Sequence, residues 1–362
     1  LVIFALFAIK KGKRCVFVIF EGEINALLQF CAFDIEKRLK NLCIQKYFVI
    51  LPLKITTTMI DSNKLSVGIL LPIESYEGAI PKMERQDELI QRAETLGFDT
   101  VWVRDIPLNN PDFKEVGQIF DPWIYLSHIA TLTKSIKIGI ASVILPLRHP
   151  LHVAKASASL DVLFPNRFVM GVASGDRPVE YPAFNKPFEL RSARVSEHMR
   201  MLRELWSKEF PTYNNDYGTL MANVGDVVPK PLHKSIPMYV TGHVGGVNLD
   251  WIAKNSDGWI YYPRDFAFTK KIVQDWHEAL TKEGQPKKPY IQPVYIDLME
   301  DPNFEPQKMD LGFRLGRNYL IDMFQELEKI GVNHTMLVLK YCSRPAGEVL
   351  EEIGTEILPQ LK

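Results

Sequence analysis

Ile136-Lys137-Ile138-Gly139-Ile140-Ala141-Ser142-Val143-Ile144 is a continuous run rich in Ile and Val, long enough for one fully buried strand. Pro150 follows, at the first position of a helix where a missing N–H costs nothing, and helical patterning runs from it to about Leu163. Phe168–Val172 is then a second apolar run. Strand, helix and strand in that order, without polar alternation in the strands, describe a parallel pair covered on both faces.

The same unit recurs on both sides. Upstream, Leu65–Leu71 reads as a strand, and Met83–Leu96 as a helix with apolar residues at Met83, Leu89, Ile90, Ala93 and Leu96, stopped by Gly97. Thr100–Val103 is a strand and Trp123–Leu132 a helix, with Asp121 as its N-cap ahead of Pro122. Downstream come helix Arg191–Leu205, strand Met238–Val240, helix Val247–Asn255, strand Gly258–Ile260 and helix Phe266–Glu283. Strand Ile291–Met299, helix Phe313–Lys329, strand His334–Leu339 and a closing helix Ala346–Leu361 complete the series. Eight strand–helix pairs in unbroken order predict an α/β fold, a closed (β/α)8 TIM barrel, with a doubly wound open sheet as the alternative. Trp206–Pro237, with four prolines, three asparagines and two glycines, interrupts the rhythm and is expected to be an inserted loop or hairpin region.

The first 58 residues differ in character. They carry 9 basic and 4 acidic residues, a net of +5, whereas the whole chain balances 43 against 43. The apolar run Leu1–Ile9 is too short for a membrane span, which needs about 20 residues, and its basic residues follow it rather than precede it as in a secretory signal. Met59 stands shortly before the first barrel strand, so residues 1–58 are expected to be an extension outside the native fold and residues 59–362 the barrel domain. Zero net charge argues against nucleic acid as partner, and no span argues against a membrane. Four cysteines without zinc or disulfide spacing fit a reducing, cytoplasmic compartment.

In a (β/α)8 barrel the ligands bind at the C-terminal strand ends. After the fourth strand stands Gly171-Val172-Ala173-Ser174-Gly175-Asp176-Arg177, where small residues admit a ligand to the backbone and Arg177 offers charge to a phosphate; an ordinary tight turn is the plainer alternative. After the fifth stands Thr241-Gly242-His243-Val244-Gly245-Gly246, ahead of a helix, a second place for an anion. Two such loops in one barrel point to a phosphate-bearing cofactor. Neither GxGxxG after the first strand nor GxxxxGK[ST] is present, so a Rossmann or P-loop nucleotide site is not expected. His149 and His152 have no partnering carboxylate at helical spacing, so His149 reads as a cap rather than a metal ligand, and no metal site is expected. GxSxG, HExxH and paired-carboxylate signatures are missing as well. Lys340 ends the last strand, where a Schiff-base aldolase would place its lysine.

Taken in order, these segments resemble the bacterial luciferase-like monooxygenases. The resemblance runs from about Leu65 to Leu361. It is carried by Ile138-Gly139 through His149-Pro150, Ala154-Lys155, Leu160-Asp161, Asn166-Arg167-Phe168 and Met170-Gly171-Val172-Ala173-Ser174-Gly175, with support from Pro237–Gly242 and Ser256-Asp257-Gly258. Asn166 replaces the usual glycine, and asparagine also tolerates positive φ. The resemblance implies FMN, or F420 in some members, across the barrel mouth. Its phosphate end would lie at Ser174, Gly175, Asp176 and Arg177, with Gly242, His243, Val244 and Gly245 opposite, and its ring near Ala141, Ser142 and Ala173. It also implies a cis peptide between Ala141 and Ser142. The second strand ends Arg104-Asp105-Ile106-Pro107, without the histidine of bacterial luciferase, so bioluminescence is not expected. The acid–base residue stays open among Asp105, Tyr181, Tyr262 and Arg314.

The function implied is a flavin-dependent monooxygenase in which reduced FMN and O2 oxidise a small organic substrate, the reduced flavin coming from a separate reductase. The alternatives are an F420-dependent hydride-transfer dehydrogenase and a non-catalytic flavin-binding protein. A homodimer is also implied; Trp123, Tyr125 and Leu126 give an apolar helix surface that reads equally as core or as interface.

Overall fold

A computed structural model describes residues 3–11, 14–22, 59–113, 115–242, 248–262, 265–309 and 311–361. The chain divides into two compact units, Leu1–Thr56 and Thr57–Lys362. In the first, strands Ile3–Lys11 and Arg14–Gly22 pair antiparallel, Ile3 opposite Gly22 and Lys11 opposite Arg14. Most of the proposed extension, residues 23–58 in particular, lies outside the described residues.

The second unit is the barrel. Its strands are β1 (Ser66–Leu70), β2 (Thr100–Val103), β3 (Lys137–Ile144), β4 (Phe168–Ala173), β5 (Met238–Thr241), β6 (Gly258–Ile260), β7 (Tyr290–Leu298) and β8 (His334–Val338). Each pairs in parallel with the next, and β8 pairs with β1, Ser66 opposite His334, so the sheet is closed. Among the described residues each of these strands is followed by a helix of seven residues or more: α1 (Gln86–Leu96), α2 (Pro122–Leu132), α3 (Pro150–Leu163), α4 (Arg191–Ser207), α5 (Leu249–Asn255), α6 (Phe266–Lys282), α7 (Arg317–Ile330) and α8 (Ala346–Glu352), with one further helical turn, Glu180–Ala183, in the loop after β4. Asp121 caps α2 by accepting from the N–H groups of Trp123 and Ile124. His149 caps α3 by accepting from Leu151 N. Gly97 and Gly331 end α1 and α7 in the left-handed conformation. Asn166 also has positive φ, 59°, and the Ala141–Ser142 peptide is cis.

The structure corrects three boundaries. The first helix begins at Gln86, not Met83, because Met83 and Arg85 have φ of 62° and 55°, which no helix continues through. Phe313–Leu315 is not helical; it extends the sheet beside the end of β7, and the helix starts at Arg317. The closing helix is α-helical only to Glu352, then passes through one π turn (Ile353–Ile357) and a 3-10 turn; Gly354 packs against Leu96, and Pro359 has no N–H to continue the ladder. Val247 lies outside the described residues, and α5 begins at Leu249 under an Asn248 cap. The inserted region contains the expected hairpin, Tyr213–Asn215 against Gly218–Leu220.

Two apolar cores follow from the barrel. One fills the space between strands and helices; Tyr125 and Leu126 belong to it and Trp123 packs against it partly buried, while Ile124 of α2 is exposed. The other fills the barrel with Leu70, Trp102, Val169, Tyr239, Ile260, Ile291, Met336 and Ile60. The Trp102 indole fits because its neighbours on β1 and β3 are glycines. A Cβ at Gly139 would stand 2.4 Å from the Trp102 ring, and one at Gly68 2.7 Å from His334 Nε2. Trp102 Nε1 donates to His334 Nε2 (2.9 Å), which leaves the His334 proton on Nδ1, facing Ser66 Oγ at 2.7 Å. Gly139→Ala is expected to lower stability by about 3 kcal/mol, since a fully buried indole in a closed barrel has nowhere to retreat. A urea midpoint unchanged from wild type would refute this packing.

Candidate active site at the barrel mouth

Side chains alternate in and out along a strand. Continuing the interior series upward from Trp102, Val169, Tyr239, Ile260 and Val338 brings Arg104, Ala173, Thr241, Tyr262 and Lys340 to the rim, with Ala141, Ser142 and Tyr295 beside them. The rim has two unlike halves.

The half built by β3, β4 and β5 is small and uncharged: Ala141, Ser142, Ala173 and Thr241. Ser142 Oγ and Thr241 Oγ1 hydrogen bond to each other from β3 and β5. The bond passes over β4 at Gly171, where a Cβ would lie 2.6 Å from Ser142 Oγ. Gly175 (φ 76°) turns the loop after β4, and the buried Tyr181 donates its hydroxyl to Ser174 O, bracing that loop from behind. Arg177 is buried: its guanidinium lies over the Phe113 ring at 4.3 Å and donates from Nη2 to Glu115 O (3.0 Å), while Nη1 has no partner. Asp176 is exposed. Glu180, 2% exposed, has an unpartnered Oε1, and burial pushes its carboxyl up to about 7. On the facing side Gly242 has φ 67°, and the Tyr262 ring packs against it. His243, Val244 and Gly245 lie outside the described residues.

The half built by β7, β8, β1 and β2 is charged. Arg104 and Glu115 form an ion pair of 2.5 Å; Arg104 Nη2 donates to the Tyr295 hydroxyl (3.0 Å), which in turn donates to Glu115 Oε1 (2.8 Å). Burial alone pushes the Glu115 carboxyl up, but the Arg104 charge and the hydrogen bonds from Tyr295 and Arg104 prevail and hold it below the usual carboxylate range. Burial pushes the Tyr295 phenol up to about 12. Lys340 Nζ donates to Gly78 O (2.7 Å), lies 4.5 Å from the centre of the Tyr76 ring and 4.0 Å from Glu115 Oε2. Gln118 accepts from Arg104 N (2.8 Å) and donates to Arg104 O (2.7 Å), replacing the strand partner that Arg104 lacks.

Of the residues considered for acid–base work, the structure brings only Tyr262 to the rim. Asp105 points away and is engaged by Arg148 at 2.6 and 2.8 Å and by Ile144 N at 3.0 Å. Tyr181 is fully buried behind the loop, and Arg314 pairs with Asp297 (2.7 Å) on the added strand. The cluster of Arg104, Glu115 and Tyr295 was not singled out from sequence. Period-two alternation after Trp102 marks Arg104, but nothing local marks Glu115, which arrives on a loop. His149 donates from Nε2 to Tyr217 O (2.9 Å) and caps α3 with the other nitrogen, so both its nitrogens are used. Among the described residues no three His, Cys, Asp or Glu side chains converge as for a metal, and no helix is long and apolar enough to cross a membrane.

A closed (β/α)8 barrel with a glycine-turned loop after β4 and a divided polar mouth is the framework of a cofactor-binding barrel enzyme. The chain belongs to the luciferase-like monooxygenase family, whose model matches residues 65–296; members of this family are oxidoreductases. An uncharacterized protein of Mycobacterium tuberculosis is 29% identical over 238 residues, covering 61% of this chain and 81% of its own. The F420-dependent glucose-6-phosphate dehydrogenase of Amycolatopsis mediterranei is 32% identical over 181 residues, 48% of this chain and 51% of that one. The solved structure of an F420-dependent secondary alcohol dehydrogenase in complex with an F420–acetone adduct superposes on 83% of this chain and 99% of its own, with a TM-score of 0.68 at 19% identity, a likeness of fold.

Proposed function

We propose that this chain is a deazaflavin (F420)-dependent oxidoreductase that interconverts an alcohol and a carbonyl compound. The observation that carries the reading is the division of the mouth. The low, uncharged shelf of Ala141, Ser142, Ala173 and Thr241 suits a flat ring, and the three unlike polar groups across from it suit a substrate that exchanges a proton. Similarity to an F420-dependent dehydrogenase supports the choice of cofactor. The loop after β4 fits the phosphate end: Gly175 turns it, Tyr181 fixes it, and the buried Arg177 keeps an unpartnered Nη1 beside it.

When bound, the deazaflavin supplies a two-electron acceptor or donor of hydride. The chain's own residues do the rest. Ser142 and Thr241 hold the shelf level through their mutual hydrogen bond. Arg104, Tyr295 and Lys340 keep a carboxylate ionised at the opposite rim. A monooxygenase that uses reduced FMN and O2 must exclude water from a reactive adduct, and a rim with this many charged groups is poorly suited to that task. The same shelf would nonetheless accept FMN, so binding separates the two readings. Titration of the dialysed full chain is expected to show F420 bound at least tenfold tighter than FMN, about 1.4 kcal/mol. Tighter binding of FMN, with O2 consumption on addition of reduced FMN and an oxygenated product, would overturn the proposal.

A further inference from the structure

The Glu115 carboxylate is only half used. Oε1 accepts from Arg104 and from the Tyr295 hydroxyl, and the latter is itself saturated, since it accepts from Arg104 Nη2. Oε2 is buried and has no hydrogen-bond partner; Lys340 Nζ stands 4.0 Å away, too far for one. A buried carboxylate oxygen without a donor costs free energy that a ligand bearing a donor recovers. The charges around it define that ligand. Arg104, Lys340 and Arg177 face Glu115 from just past β2, just past β8 and the loop after β4, so three cations surround one carboxylate and a further ammonium group is disfavoured. A neutral hydroxyl donor is the class that remains.

We propose that Glu115 is the catalytic residue that seats the substrate hydroxyl on Oε2 and takes its proton, with Arg104 and Tyr295 as positioning residues. The inference rests on the oxidoreductase reading above. In the oxidation direction the hydroxyl O–H bond would break toward Oε2 and the carbon–oxygen bond would become a carbonyl, a bound oxidised deazaflavin supplying the acceptor for the carbinol hydrogen and its electron pair. Glu115 then releases the proton to solvent. The reverse direction returns both.

The test uses the full chain loaded with F420 and 2-propanol as the probe. Saturable quenching of bound F420 fluorescence by 2-propanol is expected, and Glu115→Ala weakens it at least tenfold while F420 affinity changes less than threefold. Glu115→Gln keeps an acceptor, so 2-propanol binding stays within about threefold while turnover falls about 10²- to 10⁴-fold. The pH profile separates chemistry from structure. The groups facing Glu115 are Arg104 (after β2), Tyr295 (β7), Lys340 (after β8), Tyr76 (after β1) and Arg177 (after β4). Tyr295→Phe removes a donor to the ionised carboxylate, so the acid limb of turnover moves to higher pH, and Glu115→Gln abolishes that limb. An F420-loaded protein that ignores 2-propanol, or a Glu115→Gln variant with wild-type turnover or an intact acid limb, overturns this inference alone. Failure to bind F420 overturns it together with the reading beneath it.

Discussion

Two fully buried histidines, which must remain neutral in the fold, are expected to weaken this protein progressively as the pH falls below about 6.5. His334 is held down to about 4, chiefly by burial, with Lys137 adding to the effect and Asp99 opposing it. His198 is held down to about 3, by burial and then by Arg194, His149 and Lys186. Both folded values lie below the ordinary histidine value near 6.5. As the pH falls through that value the unfolded chain takes up protons that the folded chain refuses, so the histidines' contribution is constant above about 6.5 and turns progressively unfavourable down to the folded values. At pH 5 each histidine is expected to cost roughly 2 kcal/mol, and toward pH 4 somewhat more. His198 is the better probe. Neither of its nitrogens has a hydrogen-bond partner, and its ring lies 4.6 Å from that of Tyr217, so His198→Phe keeps the packing and removes the titration. Urea midpoints at pH 7.5 and pH 5 should converge in the variant by about 2 kcal/mol relative to wild type. Parallel losses in the two proteins would show that His198 does not contribute.

Arg148→Ala is expected to destabilise the barrel by about 3–5 kcal/mol. The Asp105 side chain is 2% exposed and receives two hydrogen bonds from Arg148 and one from Ile144 N. Removal of the guanidinium leaves a buried carboxylate with a single backbone donor, the circumstance in which a broken ion pair costs most. The bridge ties the end of β2 to the end of β3, so its loss also loosens the strand that carries Ala141 and Ser142. Adding Asp105→Asn to Arg148→Ala should recover part of the loss, because the amide oxygen still accepts from Ile144 N without a charge to bury. If the single variant melts within 1 kcal/mol of wild type, or the double variant is no better than the single, the bridge is not the support described here.

The strands and most helices were legible because their signals are local. A run such as Ile136–Ile144 between polar turns has one low-energy use, and Pro122 after Asp121, Pro150 after His149 and Gly97 after Leu96 mark helix ends within a few residues. Where a boundary was misread, the deciding contact was distant. Phe313–Leu315 has enough apolar character for a helix and is extended because the end of β7 offers it a partner, Ile296 opposite Phe313. Met83 lies in a helical pattern but adopts φ 62°, in a segment where Glu74 Oε1, from the loop after β1, accepts from the N–H groups of Lys82 and Met83.

The site divides in the same way. The amino-acid order alone determined that eight β–α units follow one another, that glycine-containing loops close the fourth and fifth, and that residues 65–361 resemble the luciferase-like family, because each of these is carried by neighbours in the chain. Which side chains meet at the mouth was decided only by closure of the barrel. Closure sets Tyr295 beside Arg104 across 191 positions and Glu115 beside Tyr295 across 180, and it turns Asp105, one residue from Arg104, outward to Arg148. A strand's alternation states that neighbouring side chains take opposite faces; it does not state which face is the interior. That choice is made when β8 pairs with β1 and Trp102 takes the space left by Gly68 and Gly139, a volume contributed by three strands that no single stretch of sequence contains.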